Sequence, residues 1–186
     1  MSSIHTFQIE LVKAFASFTS VGAFMHTHWG WPATESAHFI GLSLLIGTLV
    51  PWDLRLLGVG RRIPLAAARQ FVPWVIAGFA LTAISGVMFL MAEPSEYIYN
   101  VAFHFKVLFM AIAGANALTF YLTVGRRTLA IGSNGDAPRL AKAMAAISLA
   151  AWIGVIVSGR LLTFYRPGWC DGDSARVVAD CVLPRP

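Results

Sequence analysis

The chain is 186 residues long, 57% hydrophobic and only 12% charged, with a mean hydropathy of +0.67 and a formal net charge of +5. Soluble domains carry about a quarter charged residues, and a chain of this size cannot hide so much apolar surface in one water-soluble core. Composition therefore excludes a soluble catalytic domain, a disordered chain and, with 2 cysteines, a disulfide-framework toxin. What it predicts is an all-α integral membrane four-helix bundle.

Residues 1–30 read as an amphipathic helix followed by an outer loop. Phe7, Leu11, Phe15 and Phe18 recur at i, i+4, i+8 and i+11, with Gln8, Lys13, Ser17 and Ser20 on other faces. The rival reading is a fifth span over 7–25, which has to bury Glu10 and Lys13. The ordered charged, apolar and small-residue segments of a cleavable signal peptide are not seen. Within the loop, MHTHW from Met25 to Trp29 sets His26 and His28 two residues apart. Extended backbone would place both rings on one face beside Met25, a copper or zinc candidate set against an interfacial loop with no ligand.

Four uncharged windows follow: Ser36 to Trp52, Gln70 to Ala92, Val107 to Gly125 and Ala143 to Gly159. A hydrocarbon core of roughly 30 Å needs about 20 helical residues, so the shorter windows borrow from their flanks. The expected spans are 34–57, 71–92, 101–124 and 141–165. The two links that join the first span to the second and the third to the fourth carry Arg55, Arg61, Arg62, Arg69, Arg126, Arg127, Arg139 and Lys142, against Asp53 and Asp136. Seven of the nine acids lie on the other side. The positive-inside rule makes both basic links cytoplasmic and the C-terminus periplasmic in a multi-pass bacterial inner-membrane protein. The basic charge thus reflects topology, not nucleic-acid binding. Trp29, Trp31, Trp52, Trp74 and Trp169 fall near span ends, as interfacial anchors do.

Two histidines lie on spans. His38 is near the outer start of the first and His104 near the outer start of the third, at similar depth on non-consecutive helices. In a four-helix bundle that placement lets two imidazoles approach a haem b iron from opposite sides. Gly41, Gly86, Ala111, Gly114 and Gly159 would leave room for a macrocycle. Arg160, costly if turned to lipid, and Lys106, able to snorkel outward, would hold the propionates. The alternatives are a bare metal ion, or interfacial histidines, packing glycines and an Arg160 paired with Glu35, Glu93 or Glu96. Asp53 and Arg55 are too close in helical phase to face each other and read as structural anchors. No hydrolase, protease or phosphotransfer constellation is visible, which leaves open whether the chain is an enzyme.

The tail 166–186 is polar. Cys170 and Cys181, eleven residues apart on an oxidising side, predict a disulfide that closes it.

The segments ESAHFIGLSLLIGTLVPWDLRLLG, FHFKVLFMAIAGANALTFY and WIGVIVSGRLLTFY resemble a family of small bacterial inner-membrane proteins designated only as a domain of unknown function. The likeness runs from about Trp31 to Tyr165, and its H-x-x-G-L and D-L-R-L-L-G motifs fall on His38, Gly41, Leu42 and Asp53 to Gly58. It implies a helical membrane bundle. In architecture the chain is also similar to small di-haem cytochromes of the cytochrome b561 class, but without their second, inner histidine pair. The expectation is a b-type haem protein that passes single electrons at the periplasmic face, served by a periplasmic redox partner. The alternatives are a copper-handling or sensing protein, and a cofactor-free subunit of a larger membrane complex or homo-oligomer.

Overall fold

The computed structural model describes residues 3–164, so the tail with Cys170 and Cys181 lies outside the described residues. The elements are α1 (Ser3–Thr19), α2 (Val21–Met25), α3 (Gly30–Leu57), a 3₁₀ turn (Leu65–Gln70), α4 (Val72–Ala92), α5 (Pro94–Ile98), α6 (Val101–Thr123), α7 (Gly125–Thr128) and α8 (Arg139–Leu161). All regular structure among the described residues is helical. Of these helices α3, α4, α6 and α8 are long and apolar enough to cross a membrane. Backbone polar groups in lipid must bond within their own segment, which helices accomplish and open strands do not.

The N-terminal amphipathic helix forms as α1 and packs on α2, α4 and α5. Its Phe7, Leu11 and Phe15 point away from the protein. A continuous fifth span over 7–25 does not form, because Ser20 adopts left-handed backbone (φ 57°) between α1 and α2. α3 begins at Gly30, four residues before the expected start. Gly30 is seated so close to the Phe24 carbonyl that a Cβ would overlap it. At its other end, α3 stops in a Schellman turn. Gly58 (φ 108°) donates its N–H to Arg55 O at 3.1 Å, and Val59 donates to Leu54 O at 2.9 Å.

Packing follows small residues. Gly41 of α3 lies against Gly78 and Thr82 of α4, and Gly154 of α8 receives the ring of Phe109 from α6. α3 also packs on α8, which gives the order α4, α3, α8, α6. α4 and α6 are not a packed pair, so the ring of helices is open between them. The side of α6 that meets α8 carries Ala102, Lys106, Phe109, Ala113, Asn116 and Phe120, at alternating spacings of four and three. Large apolar side chains such as Ile40, Ile76, Leu118 and Ile153 face outward, as lipid-exposed positions do.

Polar bonds close both ends. At the basic end, the buried Arg55 donates Nε to Ile63 O (2.6 Å) and one terminal nitrogen to Arg61 O (3.2 Å) and Gly135 O (3.1 Å). Leu65 N–H to Ile131 O (3.1 Å) and Asn134 N–H to Arg61 O (2.8 Å) complete the tie between the two basic links, which therefore share one end of the bundle. At the acidic end, Asn100 caps α6 by accepting from Ala102 N–H at 2.9 Å and donates Nδ2 to Leu162 O at 3.2 Å.

Candidate functional sites at two depths

His38 sits half-buried on α3 with its Nδ1 2.9 Å from Ser85 Oγ on α4 and its ring edge-on to Phe89 at 5.7 Å. The Ser85 proton is already committed to backbone, to Leu81 O at 2.7 Å or Thr82 O at 3.1 Å. Ser85 Oγ can thus accept from Nδ1–H, in the tautomer that leaves the lone pair on Nε2. This is the tautomer a metal ligand requires, held by a neighbour in the way that second-shell partners fix ligating histidines. Gly86 lies alongside, with room for a Cβ 3.7 Å from the imidazole Cε1.

The group opposite His38 is Lys106. Its ammonium lies within electrostatic range of the imidazole and packs beside Gly159, where a Cβ would stand 3.7 Å from Nζ. Lys106 makes no hydrogen bond or ion pair among the described residues, which leaves a half-buried cation available to an anion.

The structure does not bring His104 to His38. Two residues along a helix turn about 200°, so with Lys106 on the α8-facing side of α6, His104 occupies the opposite side. It is exposed, its ring near that of Phe103 at 6.3 Å. Reading depth without phase is what paired the two histidines. Arg160 is likewise not turned inward. It is exposed, bonds Thr163 Oγ1 at 3.3 Å and lies 4.9 Å over the Phe164 ring, closing its own helix end. Gly41 gives its space to helix contact, since a Cβ there would stand 2.9 Å from Thr82 N and 3.0 Å from Gly78 O.

At MHTHW the backbone forms a turn, not the extended strand that would align two rings. His26 and His28 are exposed, and His28 meets Trp29 edge-on at 5.3 Å. Met25 is buried, its sulfur accepting from Thr34 Oγ1 at 3.2 Å. The thioether is thus engaged inside the fold. No group of three or more His, Cys, Asp or Glu side chains suited to a metal ion occurs among the described residues.

A second polar cluster, unsuspected from the sequence, lies at the basic end between α3, α6 and α8. Asp53 is 4% exposed and lies beside the Ser148 side chain, while its Oδ2 has no partner. It lines a cavity of about 80 Å³ together with Asn116, Ser148, Trp52 and Tyr121. Asn116 donates Nδ2 to Met144 O at 3.0 Å, so its carbonyl oxygen stays available as an acceptor. Asp53 and Arg55 form no ion pair, in keeping with their phase. An aspartate and an asparagine inside apolar windows were the signal, but their meeting depends on which faces of three helices converge.

No family model, curated protein or solved structure matches the chain.

Proposed function

We propose that the chain is a membrane-embedded redox protein that holds one b-type haem in the outer half of the bundle, with His38 as an axial ligand. The observation that carries this reading is the 2.9 Å contact between Ser85 Oγ and Nδ1 of His38, which suits the tautomer that keeps Nε2 as the ligating nitrogen. Lys106 would hold a propionate. Its uncompensated ammonium beside Gly159 has the charge and the partial burial that such a carboxylate needs. α4 and α6 are not a packed pair, so the side of the bundle between them is where a cofactor would displace least helix-to-helix packing.

Bound haem would supply single-electron chemistry. The chain's own residues orient the ligand, set its basicity through Ser85 and exclude water with Phe89. His104 is not part of this set, so one chain contributes one imidazole. By the positive-inside rule the end bearing Glu93 and Glu96 would be the periplasmic one, and the haem would lie toward that side of a bacterial inner membrane.

The test is an absorption spectrum of the full chain purified in detergent from cells supplied with haem precursor. A Soret band that is lost in His38→Ala and kept in His104→Ala supports the proposal. Its absence from the wild type, or its persistence in His38→Ala, overturns it.

A further inference from the structure

A carboxylate taken out of water is expensive unless something compensates its charge, and Asp53 has only a hydroxyl. The Ser148 hydroxyl lies beside the carboxylate, Oδ2 is unpartnered, and the residue is only 4% exposed. The nearest strong cation in sequence, Arg55, turns Nε and one terminal nitrogen to the carbonyls of Ile63, Arg61 and Gly135, and its other terminal nitrogen is buried without a partner and makes no ion pair with Asp53. No salt bridge reaches Asp53 among the described residues. What lies beside it instead is space, a cavity of about 80 Å³. That is well above the roughly 10–15 Å³ needed to admit one water-sized particle.

The walls of this space select by charge and by hardness. Three oxygen-bearing side chains line it: Asp53, Ser148 and Asn116, whose amide nitrogen is bonded to Met144 O and whose amide oxygen is left to accept. Oxygen sets of this kind suit hard cations. Trp52, Phe120 and Tyr121 add aromatic surface, which tolerates a cation and offers an anion nothing. Only one formal negative charge is present, so a single positive charge balances it, and a divalent ion would be left half-compensated in a low-dielectric setting.

We propose that this cavity is a binding site for one small monovalent cation, held by Asp53 with Ser148 and Asn116. Asp53 stands four residues from the end of α3, about 6 Å along the helix axis, so the ion enters from the end that bears the two basic links. The site is separate from His38 and stands or falls independently of the haem reading.

The experiment is thermal unfolding of the full-length protein in detergent with sodium, potassium or ammonium chloride, each against choline chloride at equal ionic strength. A ligand that binds only the folded state raises the melting temperature with its concentration. The expected result is a saturable rise with at least one of the three ions. It should vanish in the near-isosteric Asp53→Asn, and Ser148→Ala should need roughly tenfold more salt for the same rise. A melting temperature identical in all four salts overturns the proposal, as does an equal rise in Asp53→Asn. A rise with magnesium chloride alone also overturns it. Should Asp53→Asn fail to fold, the Ser148→Ala titration decides: an unshifted curve overturns the assignment.

Discussion

Gly41 and Gly78 face each other across the α3–α4 contact, each so near the other's backbone that a Cβ on either would stand about 3 Å from the opposing carbonyl oxygen (3.0 Å and 2.9 Å). The atoms in the way are main chain and cannot swing aside, so an added methyl has to separate the helices. Gly78→Ala is expected to destabilise by about 1–3 kcal/mol from overpacking, less the roughly 0.5–1 kcal/mol that alanine returns in helix propensity. Gly47→Ala, where a Cβ meets nothing within 4 Å, serves as the neutral or stabilising control. Melting temperatures of the three proteins in one detergent check the difference.

Arg55 reads carbonyls from both basic links through a planar fork, which a lysine cannot imitate. Arg55→Lys should leave at least one buried carbonyl unsatisfied, at a cost of about 1–3 kcal/mol. The expected readout is faster cleavage by added protease within 59–63 and 131–137, with the spans untouched.

Asn100 performs two tasks with two atoms, and the atoms can be separated. Asn100→Asp keeps the oxygen that caps Ala102 N–H and removes the nitrogen that reaches Leu162 O. Asn100→Ala removes both, so it should cost the about 0.5–2 kcal/mol of a lost cap in addition. Equal losses in the two variants, measured by thermal unfolding, would show that the cap contributes nothing.

Asp136 accepts from Lys142 Nζ at 2.7 Å and lies 3.5 Å from the Arg61 guanidinium. The Lys142 hydrogen bond and the two neighbouring positive charges hold its carboxyl below the usual carboxylate range. A carboxylate depressed in the folded state stabilises at neutral pH, and that contribution fades as pH falls from the ordinary carboxylate value through the lowered one. The effect is small because the group is exposed to solvent. Protease cutting within 131–138 should therefore increase on acidification below about pH 4 in the wild type, and Asp136→Asn should flatten that dependence.

The four spans were legible because charge interrupts apolar sequence at their ends, from Glu35 and Asp53 to Lys142 and Arg160. The amphipathic first helix was legible from the recurrence of Phe7, Leu11 and Phe15. The start of α3 was not, since Gly30 is drawn into the helix by its fit under the Phe24 carbonyl, a contact with no local sequence signature. His38 and Lys106 stand out in sequence by their rarity in apolar segments, and the structure brings them within electrostatic range of each other. His104 was placed by depth, whereas its helical phase relative to Lys106 decides its side. Asp53 was read as an anchor because a window along one chain cannot reveal that Ser148 and Asn116 arrive from two other helices.

The bonds between the basic links bear on how the protein is made. α3 with α4, and α6 with α8, form two hairpins whose turns are joined directly by Arg55, by the Leu65 and Asn134 backbone bonds, by the Arg61–Asp136 pair and by the packing of Leu65 with Ala137 and Ile131. Those backbone pairs can form only if both turns emerge in the same compartment. An inverted second hairpin would leave the Arg55 fork without Gly135, so the clasp doubles as a check on correct insertion during biogenesis.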